Sequence, residues 1–184
     1  MGGLLFCASC MLYATYAPFR NSVDDQASGV QAVAKGFLES HYSPTRPANV
    51  TASDFAKGHE AGNLIDLNTA TYWSAPYRER DGQKRDKPTL VVEFDRVVNL
   101  DQLIMTAGAA ESFTEHGRPR QVILTFTNER EMRLQLQDTA KPQKFSLRHA
   151  FGVKSVQIEI VDVYPSRKGH DVAVTDVEFF SLLS

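Results

Sequence analysis

The larger C-terminal part of the chain repeats one pattern, in which apolar and polar residues alternate in short runs. The clearest run spans residues 90–95, where Leu90, Val92 and Phe94 alternate with Val91, Glu93 and Asp95. The same alternation recurs over residues 121–126, 133–137, 156–161 and 175–180. Residues two apart in a strand share a face, so each run predicts a strand with one buried and one polar side. Repeated in this way with almost no helical periodicity, the pattern predicts an all-β fold, an antiparallel β-sandwich.

A polar turn followed by a large aromatic residue interrupts the strands between residues 61 and 75. Asp66, Asn68, Thr69 and Thr71 crowd the turn, and Trp73, the single tryptophan of the chain, follows them. Oxygen-bearing side chains on a turn can cap backbone amides or hold a hard cation such as calcium. A large aromatic residue just after such a turn is typical of a core anchor, and we expect Trp73 to be buried.

Three connections between the predicted strands are long, at residues 75–87, 108–118 and 164–170. Long loops on a rigid sandwich are the usual place for binding sites. If these loops converge, their aromatic, arginine and histidine side chains form a candidate set of ligand contacts suited to sugar hydroxyls and acidic groups. The set comprises Tyr77, Arg78, Phe113, His116, Arg118, Tyr164, Arg167 and His170. The charge-rich loop 77–87 also fits a solvated connection, and both interpretations stay open.

The N-terminal run 4–19 carries no charge, and it is shorter than the roughly 20 residues that span a bilayer. Three interpretations compete: a membrane span, a secretion signal that lacks its basic start, and a buried apolar segment. We favour the span, because Tyr13, Tyr16 and Phe19 resemble an interfacial aromatic belt. The predicted organisation is therefore a membrane-anchor or signal-like segment at 1–20, a linker with a short helix at 21–46, and the sandwich at 47–184.

Composition excludes several classes of function. A chain of 184 residues is long enough for one domain with a sizeable core, and its net charge of −2 argues against a nucleic-acid partner. Both cysteines, Cys7 and Cys10, precede the predicted sandwich, so disulfides do not hold it together. The sequence contains no nucleophile elbow, HExxH, P-loop or dinucleotide-binding motif, and its carboxylates show no pairing typical of glycoside hydrolysis. We therefore expect no enzymatic activity.

An ordered set of short motifs resembles the discoidin family, also called F5/8 type C or galactose-binding-like. The motifs are Ala52-Ser53, Asn63-Leu-Ile-Asp66, Thr71-x-Trp73, a strand that ends in Phe94, and the closing Val177-Glu-Phe-Phe180. The resemblance covers about residues 47–180. The sequence Tyr72-Trp-Ser-Ala75 is most similar to that of a bacterial branch of the family. This branch is found in membrane-anchored proteins and is likened to the glycan-binding domain of secreted NAD-glycohydrolases.

The resemblance implies a jelly-roll sandwich of about eight strands that is not an enzyme and that meets its ligand with loops at one end. Many relatives hold a structural calcium, for which the matching positions here are Asn63, Asp66, Asn68, Thr71 and Glu178. The family usually has glycine after the aspartate, where this chain has Leu67. A positive φ there would strain a leucine, so calcium stays open beside the alternative that Asp66 and Thr71 only cap the turn.

These observations lead to one main functional hypothesis. The chain is expected to be a non-catalytic binding module for a carbohydrate or another cell-envelope component, held at the membrane by its N-terminal segment. The domain would then be extracellular or at the cell surface. The alternative is a structural or protein-interaction domain of a larger membrane-anchored envelope protein.

Overall fold

The computed structural model describes residues 41–77 and 87–183. In these ranges ten strands form two five-stranded sheets, which confirms the predicted all-β antiparallel sandwich. The strands are β1 (Tyr42–Pro44), β2 (Asn49–Ala52), β3 (Trp73–Pro76), β4 (Thr89–Val98), β5 (Gln102–Ala107), β6 (Arg118–Phe126), β7 (Glu131–Gln135), β8 (Gln143–Ser146), β9 (Val153–Tyr164) and β10 (Asp171–Leu182). Short 3-10 turns span Ala61–Leu64 and Ala110–Ser112. The strand number exceeds the expected eight, because strands of three or four residues such as β1 and β8 are too short to show alternation.

Strands that follow one another in the chain often lie in different sheets, so several connections cross from one sheet to the other. One sheet has the order β1-β10-β5-β8, with β3 paired to β10 beside that path. The other has the order β2-β4-β9-β6-β7. In its centre Val92 of β4 lies opposite Val156 of β9, and both are buried, so neighbouring strands of this sheet place apolar side chains side by side on its inner face.

The alternation seen in the sequence decides which side chains form the core. In β4 Leu90, Val92 and Phe94 are buried, while Glu93 and Asp95 are exposed. The Phe94 ring meets Phe179 of the opposite sheet edge-on, with centroids 5.5 Å apart. Such edge-to-face pairs stabilise by about 1 kcal/mol beyond the apolar area that they bury. The core between the sheets is therefore the one that the period-two pattern predicts.

Trp73 is fully buried at the start of β3, which confirms its predicted role as a core anchor. Its indole nitrogen donates a hydrogen bond to the carbonyl oxygen of Asp54 at 3.1 Å. A buried indole N–H usually needs such a partner, because an unsatisfied donor would cost about 1–3 kcal/mol. The polar turn before Trp73 is thus tied to the core by one large side chain.

Strand β10 contains an irregularity that changes which of its residues face outward. Its register with β5 shifts between Val174 and Asp176, so Val174 and Thr175 are both buried. The Thr175 hydroxyl donates to the carbonyl oxygen of Gly108 at 2.7 Å, so its burial leaves no donor unsatisfied. Beyond the shift Val177 points inward, while Asp176 and Glu178 share the outer face of the sheet.

The two ends of the sandwich differ in what they carry. At one end, here called the cleft end, the connections 108–117 and 165–170 and the start of β10 come together. At the other, the terminal end, residue 43 enters the sandwich and β10 ends, and the Thr45 and Ser181 hydroxyls lie 2.6 Å apart. The 12 residues of β10 separate the two ends by about 35–40 Å.

The first strand, β1, lies before Pro47, the predicted start of the sandwich, so the sandwich of the structure begins a few residues earlier than predicted.

The predicted anchor segment and most of the predicted linker lie outside the described residues. Over the ranges that the structure describes, none of the helical segments has the length and apolar character to span a bilayer.

Candidate ligand-binding site

An open cleft of about 390 Å³ lies at the cleft end of the sandwich. It forms where the connection before β6 meets the connection before β10, with the end of β3 beside them. Its lining residues are Pro76, Glu115, His116, Lys168, Gly169, His170 and Asp171. The candidate contacts required the long loops to converge, and all three of the predicted long loops contribute residues to this cleft, the loop 75–87 through Pro76.

Backbone hydrogen bonds hold the two loops against each other. The amide of Arg167 donates to the carbonyl oxygen of Thr114 at 2.8 Å, and the amide of Gly117 donates to that of Asp171 at 2.9 Å. A Cβ atom on Gly117 would lie only 2.6 Å from the same Asp171 oxygen, so this close approach requires glycine. The cleft is therefore built on a bonded backbone frame.

His116 is oriented from both sides of its ring. Its Nδ1 lies 2.6 Å from Asp171 Oδ2, and its Nε2 lies 3.4 Å from the Tyr72 hydroxyl. The Tyr72 ring stacks on His59, with centroids 4.0 Å apart and planes 18° apart. An aspartate at Nδ1 fixes that nitrogen as the proton donor, which leaves Nε2 as an acceptor in the neutral ring. Both ring nitrogens thus have protein partners, which hold the imidazole in one orientation at the wall of the cleft.

The Tyr72 hydroxyl keeps its proton in this setting. Burial raises the pKa of Tyr72, and the negative charges of Asp171 and Glu115 raise it further. Tyr72 can therefore act as a hydrogen-bond donor toward His116 at all ordinary pH values.

Arg118 lies behind the cleft and is only 4% exposed. Its guanidinium makes a bidentate pair with the Asp138 carboxylate at 2.8 and 2.9 Å. It also donates to the carbonyl oxygens of His116 and Pro165, and it lies 5.1 Å from the centre of the Phe113 ring. With these donors used inside the protein, Arg118 positions both loops, and its burial argues against the direct ligand contact expected from the sequence.

Two aromatic residues of the predicted contact set are also bound to the protein itself. The Tyr77 hydroxyl donates to the carbonyl oxygen of Val161 at 3.2 Å, and that of Tyr164 donates to Leu136 at 2.9 Å. The Tyr164 ring also lies 5.9 Å from the guanidinium carbon of Arg120. The rings of Tyr77 and Tyr164, and that of Phe113 against Arg118, therefore support the loops. The direction in which these side chains point could not be predicted from the sequence alone.

The exposed polar groups of the cleft end come mainly from the connection before β10. Arg167, Lys168 and His170 are all exposed, and the Lys168 ammonium pairs with Glu115 at 2.5 Å. Of the predicted contact set, His116 and His170 line the cleft and Arg167 lies in the same loop. Arg78 falls outside the described residues. Lys168 and Asp171 line the cleft without having been predicted, because nothing in the sequence distinguishes a lone lysine or the first residue of a strand as a cleft residue.

The predicted calcium ligands fall into two groups in the structure. Asp66 accepts hydrogen bonds from the Asn68 amide and the Thr71 hydroxyl, both at 2.8 Å. Asn63 turns its side-chain amide donor toward the Tyr72 carbonyl oxygen at 3.0 Å. These contacts are those of a capped turn, the alternative considered above. Leu67 has a φ of 60°, which is the strained conformation anticipated for a residue in the place of glycine.

Glu178, the remaining predicted calcium ligand, shares the outer face of β10 with Asp176. The pKa of Asp176 is raised to about 6. Burial is the largest cause, and the nearby negative charges of Glu178 and Asp66 add to it. Three carboxylates therefore share one region, and Asp176 is the member that the sequence analysis left out. Their charge and oxygen chemistry fit calcium, but in the described residues no three acidic, histidine or cysteine side chains converge as a formed metal centre.

This antiparallel sandwich, with an open polar cleft formed by loops at one end, has the architecture of a galactose-binding-like domain, as the resemblance implied. Residues 42–180 match the family described as the NAD glycohydrolase translocation F5/8 type C domain. The chain belongs to this family. The search of curated proteins gave no match.

Solved structures share the fold at low sequence identity. A family 32 carbohydrate-binding module of Clostridium perfringens NanJ, solved with galactose, is 12% identical with a TM-score of 0.59, covering 76% of this chain and 99% of its own. An F5/8 type C domain from Bacteroides fragilis is 14% identical with a TM-score of 0.60, and the match covers 78% of this chain and 99% of that domain. The family 32 module of AlyQ, solved with 4,5-unsaturated mannuronic acid, is 16% identical with a TM-score of 0.52, and the match covers 75% of this chain and 98% of that module. At these identities the likeness establishes the fold.

Proposed function

We propose that this domain is a non-catalytic carbohydrate-binding module that holds its ligand in the cleft between the two bonded loops. The observation that carries the proposal is the cleft itself, with His116 fixed by Asp171 beside the exposed Lys168 and His170. Imidazole edges, carboxylates and amines are the groups that fix orientation in small-ligand sites. The fold shared with a module solved with galactose and another solved with a uronic acid supports the choice of a sugar.

The charge of the exposed rim favours a glycan that carries carboxylate groups. Arg167, Lys168 and His170 follow one another closely in the same loop, and all three side chains are exposed. Cationic donors bind carboxylates through charge-assisted hydrogen bonds, which are about twice as strong as neutral ones. Asp171 and Glu115 would accept hydrogen bonds from sugar hydroxyls on the inner side of the cleft.

A screen of the full chain against neutral and uronate-containing glycans tests this function. We expect saturable binding to an acidic glycan, and a loss of affinity of about tenfold or more for Lys168→Ala or His170→Ala. Lys154→Ala, an exposed lysine at the terminal end, is the matched control and should bind like the unchanged chain. Absence of binding to every glycan, together with capture of a defined protein partner, would favour the protein-interaction alternative.

We further propose that the N-terminal segment 1–20 attaches the domain to a membrane. Support comes from the apolar, uncharged sequence of that segment. Fractionation of expressing cells, followed by protease treatment of intact cells, tests attachment and sidedness separately. Recovery of the chain in the soluble fraction would contradict the attachment.

Calcium is proposed as a structural ion near Asp66, Asp176 and Glu178. After burial, the negative charges of Glu178 and Asp66 contribute to the raised pKa of Asp176, and a cation would offset that repulsion. Calcium should then raise the melting temperature, and Asp66→Ala should remove the rise. An identical melting temperature in calcium and in chelator would exclude the ion.

A further inference from the structure

The second half of β4 loses its pairing with the neighbouring strands before the strand ends. Its register with β9 shifts between Glu93 and Val98, which leaves residues 94–97 opposite a single residue of β9. Its pairing with β2 stops at Glu93. Residues 95–97 are exposed, and in the part of the chain that the structure describes none of them forms another backbone hydrogen bond. This bulged segment therefore presents unpaired N–H and C=O groups at the terminal end.

A groove of about 820 Å³, here called the terminal groove, lies beside the bulged segment. It is lined by residues 95–99, residues 43–46 and the end of β10. Two of the lining side chains are apolar and largely exposed, with Val97 at 63% and Leu182 at 52%. Such side chains next to unpaired main-chain groups are typical of a site for an extended peptide, because the main chain supplies hydrogen bonds and the side chains supply specificity.

Two arginines give the terminal groove a positive charge. Arg46 and Arg96 line it with exposed side chains, and within the described ranges neither forms an ion pair. Asp95 is the only acidic residue among the described residues that line the groove. A guanidinium group pairs with a carboxylate through two parallel N–H donors. The groove therefore complements an occupant that carries carboxylate side chains.

We propose that the terminal groove is a docking site for an acidic, extended peptide segment of a partner protein. The peptide main chain bonds to residues 95–97, its carboxylates pair with Arg46 and Arg96, and its apolar side chains cover Val97 and Leu182. Because side chains alternate along an extended chain, a peptide of alternating acidic and apolar residues fits both requirements. This site lies at the end opposite the cleft and goes beyond the proposed carbohydrate binding.

A second copy of the chain complements the groove less well than an acidic peptide. A two-fold dimer through this surface presents the same patch from both copies. Arg46 and Arg96 of one copy would then face the same two residues of the other. Like charges brought together in this way disfavour association.

Fluorescence polarisation of labelled peptides tests the site in the full chain, kept in a neutral detergent. The probe is a peptide of five Glu-Val repeats. Its matched control has five Gln-Val repeats, which keep the length and the apolar side chains without the charge. We expect saturable binding of the acidic peptide and at least about tenfold weaker binding of the neutral one, since carboxylate–guanidinium contacts are charge-assisted. Equal binding of the two peptides, or no binding of the acidic one below about 1 mM, would overturn the proposal.

A charge-reversal pair separates contact in the groove from general attraction between opposite charges. Arg46→Glu/Arg96→Glu should weaken binding of the acidic peptide by at least about tenfold with an unchanged melting temperature. Arg133→Glu/Lys141→Glu makes the same change in net charge at other exposed positions and should retain the affinity. An equal loss in both pairs would show long-range attraction only and would overturn the site.

Amide hydrogen exchange locates the bound peptide on the chain. With the peptide at about ten times its Kd, exchange at residues 95–97 should slow by about tenfold, whereas residues 165–170 of the cleft should be unchanged. Protection of the cleft without protection of residues 95–97 would contradict main-chain docking. Binding of a sulfated polysaccharide that depends on Arg46 and Arg96, without binding of the peptide, would overturn the proposal in favour of an anionic glycan. Failure of glycan binding in the cleft leaves these results unchanged, so the two proposals are tested separately.

Discussion

Replacing Asp176 by asparagine should stabilise the protein at neutral pH, although it removes a charge from a half-buried site. The carboxyl lies on the outer face of β10, where burial and then the charge of Glu178 raise its pKa from 3.8 to about 6. Its Oδ1 accepts a hydrogen bond from the Val177 amide at 2.9 Å, and the side-chain oxygen of asparagine can accept the same bond. The substitution therefore changes the charge and leaves shape and bonding nearly intact.

The size of the effect follows from the pKa of Asp176. Because its value in the folded protein lies above that in the unfolded chain, the folded state holds the proton more tightly. The stability that Asp176 contributes is then fully present below about pH 4 and is lost as the pH rises through about 6. The rise to about 6 would correspond to at most about 3 kcal/mol, and solvent screening of the half-buried carboxyl reduces this amount. Asp176→Asn escapes this loss, so we expect it to gain about 1–2 kcal/mol at pH 7.5 and little at pH 3.5.

Urea denaturation between pH 3.5 and 7.5 in the presence of chelator measures the gain directly. Asp95→Asn, which removes an exposed carboxylate from β4, is the matched control and should show no such pH-dependent gain. A variant that is equally or less stable than the unchanged chain at pH 7.5 would refute the reasoning. If calcium binds here as proposed, adding it should stabilise the unchanged chain more than Asp176→Asn.

Three further substitutions test the loop frame and the turn before Trp73, each by urea denaturation. Arg118→Gln should cost about 3 kcal/mol, because it removes a buried guanidinium that pairs with the exposed Asp138 carboxylate and leaves two loop carbonyl oxygens without their donor; a cost below 1 kcal/mol would contradict the positioning role. Gly117→Ala should cost about 1–3 kcal/mol through its clash with the Asp171 carbonyl, whereas Gly62→Ala, which meets nothing within 4 Å, should stay within about 0.5 kcal/mol. Leu67→Asn should stabilise by about 0.5–1 kcal/mol, since asparagine tolerates the φ of 60° better and the leucine side chain is largely exposed; a loss of stability would show that the leucine is not strained.

The fold was largely predictable because each long strand carries its own signal. Period-two alternation marks β4, β6, β7, β9 and β10, and burial follows it over most of their length, except at the first residues of β6 and in the first half of β10. The short strands β1 and β8 lack enough residues to show a period, and they form because longer neighbours offer them unpaired edges. The burial of Trp73 was predictable because a lone large aromatic after a polar turn has few stable places outside a core.

The site was predictable as a region but not as a set of contacts. Loop length pointed to the connections that form the cleft, since long loops on a rigid frame are where binding groups concentrate. The direction of each side chain depends on partners that are distant in sequence. Arg118 turns inward to meet Asp138, and Tyr164 turns to meet the carbonyl oxygen of Leu136. Residue type alone therefore could not separate ligand contacts from loop supports.

Strand β10 runs through the cleft, the region of the carboxylates and the terminal end. It begins in the cleft with Asp171, carries Asp176 and Glu178 in its middle, and ends at the terminal end with Leu182. It is hydrogen-bonded to both β3 and β5, so its outer face is held rigid over most of its length. A charge change in its middle should therefore alter global stability while the cleft keeps its geometry. It follows that Asp176→Asn should bind glycan with the affinity of the unchanged chain, whereas Gly117→Ala should weaken binding by disturbing the frame of the cleft itself.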